Sequence, residues 1–356
     1  MYVGAIVTIA GGARCEEHSG SLPRKRLDRY HSAPQRLLGS PAVTWDVLGE
    51  SIVDRTLDRL RIFGVDHASV ISEDGFCRWS GSDLFIPPSP PASGFWPVWD
   101  SVVSHYLNHG METLLLVRLG PYVELDYSDF LRFHRESAAA LTQANHALGA
   151  MDLIAVDAKQ LRDTKDSFRA RLSAMIADRR EYRFTGYLNA LADPADFRRL
   201  VQDALHGQCG IRPVGNEVEP GIWLGDGARI ERTANVLAPA YIGANSWVRS
   251  SCTISGASAV EKQCEVDCAT SVDDCCILPG TYLGMGLNVS NAIVGAGKLF
   301  HLGREVELEM NDGRLIGSTS GSQRLTRTAR ALFGSMSTRR SQTASLVTAR
   351  RFGHFN

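Results

Sequence analysis

The chain has no charge surplus: 38 basic residues stand against 39 acidic ones. Nothing in its overall charge draws it to nucleic acid or to an acidic substrate. It has no apolar run long enough to span a membrane. The apolar start, 1–10, lacks a basic leader and runs into Gly11-Gly12, so it reads as a strand and a turn, not a secretory signal. A cytoplasmic, reducing setting is the expectation. None of the eight cysteines forms a CxxC pair. Cys264, Cys268, Cys275 and Cys276 lie close together but lack zinc-site spacing, and no metal is assigned to them. There is no histidine between Leu224 and Phe300, and no acidic residue in 322–356.

What is present is a repeat. Every sixth residue from Leu224 is aliphatic: Ile230, Val236, Ile242, Val248, Ile254, Val260, Val266 and Val272. Two positions before each of these eight sits a small residue: Ala228, Ala234, Ala240, Ser246, Cys252, Ser258, Cys264 and Thr270. After a one-residue slip the pattern resumes at Ile277, Leu283 and Val289. A period of six suits neither a helix nor an ordinary strand. It predicts a parallel solenoid of short strands, each turning one aliphatic and one small side chain inward. Cys252, Cys264 and Cys275 occupy small inward positions, where Cys serves as a compact apolar residue.

Before the repeat the signals alternate. Val3–Ala10 predicts a buried parallel strand, and 15–39 a polar, proline-punctuated loop. Ser51–Phe63 predicts a helix burying Val53, Leu57 and Leu60 and closed by Gly64, with a strand following at Val65–Ile71. The prolines of 87–97 mark a loop. Helices are then expected at Ser101–His109, from a Ser128 cap to Ser137, and over the charged stretch 157–180. Strands are expected at Glu112–Leu119 and Leu153–Val156. Asp193-Pro194 starts a helix burying Phe197, Leu200, Val201 and Leu205, with Gly207 at its end. This gives an α/β domain over 1–207, a linker over 208–220, the solenoid over 221–303 and a hairpin over 304–321 turning at Asn311-Asp312-Gly313. A basic tail, 322–356, completes the chain.

The stretches VLGESIVDRTLDRLRIFGVDHASVI, LLLVRLGPYVELDYSDFLRFHRES, GYLNALADPADFRRLVQDALHG and APAYIGANSWV occur here in that order. Together they resemble the bacterial sugar-nucleotide pyrophosphorylases, the mannose-1-phosphate guanylyltransferase-like sugar-1-phosphate nucleotidyltransferases. The resemblance spans nearly all of 1–302. It implies a Rossmann-like, GT-A-like nucleotidyltransferase domain followed by a left-handed β-helix. It also implies chemistry in which a glycine-rich loop, a lysine and aspartate-held Mg²⁺ neutralise phosphate charge. The candidate nucleotide-binding residues are Gly11, Gly12 and Arg14. The family's lysine, however, falls on Ala42, and its two metal aspartates fall on Gly120 and Ala190. No catalytic residue is therefore assigned.

The expected function is a catalytically impaired, ligand-sensing or scaffolding subunit in sugar-nucleotide or polysaccharide biosynthesis. One alternative is an active nucleotidyltransferase in which Asp126, Glu124, Asp46 or Lys25 substitutes for the missing groups around Mg²⁺. A second is a hexapeptide-repeat acyltransferase with His301 as its base. A nucleotide or sugar nucleotide is the expected ligand, and an intact pyrophosphorylase a partner. Trp247, Tyr241 and Tyr282 suggest an interface for a homo-oligomer. In the tail, Leu325, Ala329, Leu332, Phe333 and Met336 fall near helical spacing beside seven arginines. Either disorder or a basic helix on an anionic membrane follows from that pattern. No nucleic-acid partner is expected, because no aromatic stacking platform accompanies the arginines.

Overall fold

The computed structural model describes residues 2–9, 36–65, 67–72, 77–80, 95–162, 167–319 and 349–351, with 77–80 and 349–351 as backbone alone. Contacts divide the chain into two compact units, Met1–Thr44 with Ile52–Ala192, and Trp45–Ser51 with Asp193–Asn356. The first is mixed α/β; the second is a parallel, β-helix-like array of short strands.

A seven-stranded sheet forms the first unit. Its spatial order is Arg180–Phe184, Leu141–His146, Gly149–Asp157, Thr113–Leu119, Val3–Ile9, His67–Ser72 and Cys77–Ser80. Val3–Ile9 pairs in parallel with both neighbours. Ala5, Ile6 and Val7 are fully buried, so the strand reads as an unbroken apolar run. Tyr106 covers it. A Cβ added at Gly4 would lie 3.0 Å from that ring, and the Tyr106 hydroxyl donates to Ala5 O and pairs with Ser69. Helix α1, Ile52–Ile62, buries Val53, Leu57 and Leu60 as its pattern predicts. Gly64 follows it at φ 79°, a conformation that favours glycine.

Several local expectations are corrected. Helix α2 runs Phe95–Asn108, so it begins six residues before Ser101. Pro97 falls in its first turn, where a missing N–H costs nothing. Helix α3, Tyr127–Glu136, is capped by Asp126 accepting from Asp129 N at 3.0 Å, in place of Ser128. The stretch expected to be helical over 157–180 breaks up. It holds short turns at Ala158–Gln160 and Ile176–Asp178 around helix α4, Phe168–Met175. Leu141–His146 and Arg180–Phe184 were not foreseen as strands. Gln143, Asn145 and His146 are half-buried, and only Phe184 is buried in Arg180–Phe184, so neither carries a clear apolar signal.

In the second unit the hexads hold. Strands pair in parallel about eighteen residues apart, with Ile222 opposite Ala240, Trp247 opposite Glu265 and Ile254 opposite Val272. The slip after Val272 is absorbed at Asp273-Asp274, where Asp274 takes φ 52°. Pairing then proceeds one residue shorter, Val272 opposite Val289 and Ile277 opposite Val294. Ile242, Val248, Ile254, Val260, Val266, Val272, Ile277 and Leu283 form one fully buried core with Cys252, Cys264 and Cys275. Burial pushes the Cys264 and Cys275 thiols up to about 12, so these cysteines pack as apolar groups.

Helix α5, Pro194–Leu205, is capped by Asp193, which accepts from Asp196 N at 2.7 Å. It groups with the solenoid, not with the α/β unit. The physical reason is Arg198, nearly fully buried, which donates to Asp274 Oδ1 at 2.8 Å and to the carbonyls of Gly256 and Ala257. Leu205, expected on the buried face, is only half-buried.

The end hairpin is also redrawn. Lys298–His301 and Val306–Glu309 pair antiparallel around Leu302–Glu305. The Asn311-Asp312-Gly313 turn instead returns the chain to Ile316–Ser318, antiparallel to Thr281–Leu283. In the tail, Ala349–Arg351 is a strand beside Val306–Glu309, so disorder does not extend over these residues. The rest of the tail lies outside the described residues, as does the amphipathic segment. Among the described residues no helix is long and apolar enough to cross a membrane.

Candidate functional site at the strand ends

In an open α/β sheet, ligands gather outside the carboxyl ends of the strands where the strand order reverses. Here the order reverses between Val3–Ile9 and Thr113–Leu119, which are neighbours in space but separated in sequence by two other strands of the same sheet. Gly11, Gly12 and Arg14, with Lys25, follow the first of these ends and lie outside the described residues. Gly120 ends the second, and no atom lies within 4 Å of the Cβ it lacks.

Beside it runs a shallow depression lined by Arg118, Leu119, Pro121, Tyr127, Thr56 and Asp152, among others. Its lining mixes apolar and polar side chains and holds an ion pair, Arg118 to Asp152 at 3.4 Å. Both partners are substantially exposed, so the pair adds at most about 1 kcal/mol. Tyr127 is buried, and that burial raises its phenol to about 12. It therefore stays neutral at any ordinary pH.

Each described carboxylate named as a substitute has a partner of its own. Asp126 caps α3. Glu124 accepts from the Tyr122 hydroxyl at 3.0 Å, and its backbone runs against Gly186, where an added Cβ would meet Glu124 O. Asp46 belongs to the other unit and pairs with Lys262 at 2.8 Å. Ala42 is buried in a short turn, and Ala190 is half-buried without a polar side chain. Magnesium needs several oxygen ligands. Among the described residues no group of three or more His, Cys, Asp or Glu gathers to hold a metal. The described residues do not fit Mg²⁺ at this place.

Two polar arrangements in the second unit were invisible in the sequence. The first is Glu261, which follows Val260 in the repeat and is nearly fully buried. Its two carboxylate oxygens accept from Leu48 N at 2.7 Å and Gly49 N at 2.8 Å. The segment it holds is a two-residue hairpin, Asp46-Val47 against Glu50-Ser51, with Leu48 and Gly49 both at positive φ. At Gly49 a Cβ would come within 2.4 Å of the Tyr241 hydroxyl, so the position has no room for a side chain. Leu-Gly between short flanks was the only local signal for this turn.

The second is a belt on the four parallel strands of the five-stranded sheet. Arg249 stacks 4.0 Å over the Trp247 ring and pairs with Glu265 at 2.6 Å. Tyr282 donates to Asp267, and the Trp247 indole to Glu231. Of the three rings read from the sequence as interface candidates, only Trp247 is not buried. Tyr241 and Tyr282 are buried, and all three spend their polar atoms within the chain. His301 stands at the end of Lys298–His301, opposite Ala292.

No protein-family model matches this chain, and no curated protein matches it either.

Proposed function

We propose that the protein is a sugar-nucleotidyltransferase-like ligand sensor or scaffold with impaired catalysis, working in sugar-nucleotide or polysaccharide synthesis. On this reading the first unit is a Rossmann-like, GT-A-like domain and the second a left-handed β-helix. One observation carries it: Gly120, at a strand end beside the topological switch, and Ala190 stand where the resemblance calls for aspartates, and among the described residues no group of three or more His, Cys, Asp or Glu gathers to hold a metal. Phosphoryl transfer depends on neutralising charge as it develops, and losing one such group typically costs about two to three powers of ten in rate. Binding asks less, since backbone N–H groups at a strand-to-loop turn suffice to hold a phosphate.

Thermal-shift titration with nucleotides and sugar nucleotides, with and without Mg²⁺, tests the reading. Stabilisation that does not need Mg²⁺, without pyrophosphate release from any nucleoside triphosphate and hexose-1-phosphate pair, is the expected result. Mg²⁺-dependent pyrophosphate release that Asp126→Ala abolishes would overturn it. So would the absence of stabilisation by every nucleotide tried.

A further inference from the structure

The two ends of the solenoid differ. At the later end Ile316–Ser318 pairs antiparallel with Thr281–Leu283, and Leu299 and Met310 pack on the core. At the first coil one side is covered, where Asn216–Glu219 pairs with Ile222–Leu224. The other two sides are strand edges. Among the described residues, Arg229–Ile230 pairs only with Trp247–Val248, and Asn235–Val236 only with Thr253–Ile254.

The backbone on these edges faces outward. Arg229 N and Glu231 N donate into the second coil, to Ser246 O at 2.8 Å and Val248 O at 2.9 Å. Alternation along a strand then turns the N–H and C=O of Ile230 toward the free edge. Asn235 N and Leu237 N do the same on the next side and turn out Val236. The axis is open here as well. Leu224, Ile230 and Val236 are half-exposed where their counterparts in later coils are fully buried, and Leu237 is 47% exposed. A solenoid end needs a cap, and an apolar end with unpaired edges is a template for pairing.

We infer that this end binds a second copy of itself about a two-fold axis at Ile230. The charges on the strand select that occupant. In an antiparallel pair centred on Ile230, the two Ile230 residues face each other and exchange both outward backbone hydrogen bonds. The same register sets Arg229 opposite the mate's Glu231 and Glu231 opposite the mate's Arg229, on one face. The strand is thus complementary to its own two-fold copy, as an isologous interface requires. The mate also supplies the aliphatic cap that the first coil lacks. This inference does not depend on the proposed ligand-binding role.

Sedimentation velocity of the full chain at micromolar concentration tests it. The expected species has twice the 38.9 kDa chain mass. Arg229→Glu turns both cross-strand pairs into Glu–Glu repulsions and should weaken the dimer by about tenfold or more. Adding Glu231→Arg reverses both charges and should restore it, an outcome that simple misfolding of the first variant would not give. A monomeric wild type would overturn the inference. So would a dimer indifferent to Arg229→Glu, or a double variant that stays as weak as the single one.

Discussion

The α/β unit and the solenoid unit bury their cores by opposite strategies. In the solenoid, a position inherits its surroundings from the coil before it: Val248 packs beside Val266 because both occupy one place in the repeat. In the α/β unit each large buried side chain has partners of its own, drawn from distant stretches. Tyr106 meets Gly4, Ala5 and Ser69, and His134 meets Thr142. The lesson is that repetition makes packing readable residue by residue, while a unique core hides it in long-range pairings.

The largest expected effect lies on the solenoid axis. Ile254→Asp would bury an unpaired charge among aliphatic neighbours and should cost about 3–5 kcal/mol in denaturant unfolding. Met285→Asp, at a residue 68% exposed, should stay within about 0.5 kcal/mol. Equal losses would mean that the inward assignment is wrong. Arg249 would be a poor control, although the repeat alone marks it as a corner residue, because an acid there would face Glu265 and Asp267.

Next comes Glu261, the place where the solenoid stops behaving as a plain repeat. Glu261→Ala strands two backbone N–H groups and should cost about 3 kcal/mol. Hydrogen-exchange mass spectrometry should show the loss concentrated in 45–51. Unchanged protection there would separate the hairpin from its carboxylate.

The pH profile should separate the two units. Burial lowers the pKa of His134 below its ordinary value of 6.5, with Asp157 offsetting part of the shift. The unfolded chain therefore takes up a proton near pH 6.5 that the folded one refuses. Stability of the α/β unit is full above that pH and falls as the pH drops below it. Cys264 and Cys275 act in the other direction. Burial holds their folded pKa at about 12 against an ordinary value of 9.0, so solenoid stability is full below pH 9 and falls as the pH rises toward 12. Segment-resolved exchange at pH 5.5, 7.5 and 10 checks this. Parallel losses in both units at either extreme would refute it.

The smallest effect is the cap of α3. Asp126→Ala should destabilise the α/β unit by about 1 kcal/mol. A much larger loss of ligand affinity than of stability would return Asp126 to the binding site.

Much of this protein was settled by the order of its residues alone. Hexad spacing fixed which side chains face the solenoid axis, because each coil has one inward aliphatic position and a wrong residue there has no alternative place to go. Asp193-Pro194 and Gly64 marked helix ends through backbone constraints that act within a few residues. Tertiary structure decided the rest, wherever the partner is far along the chain. It joined Trp45–Ser51 to a carboxylate more than two hundred residues away, and drew α5 onto the solenoid through Arg198. It placed Leu141–His146 in the sheet despite its polar residues, and among the described residues it left the first coil with two open edges. Each of these outcomes is set by a hydrogen bond or a strand edge, whose energy depends on what stands opposite, and no local pattern records that.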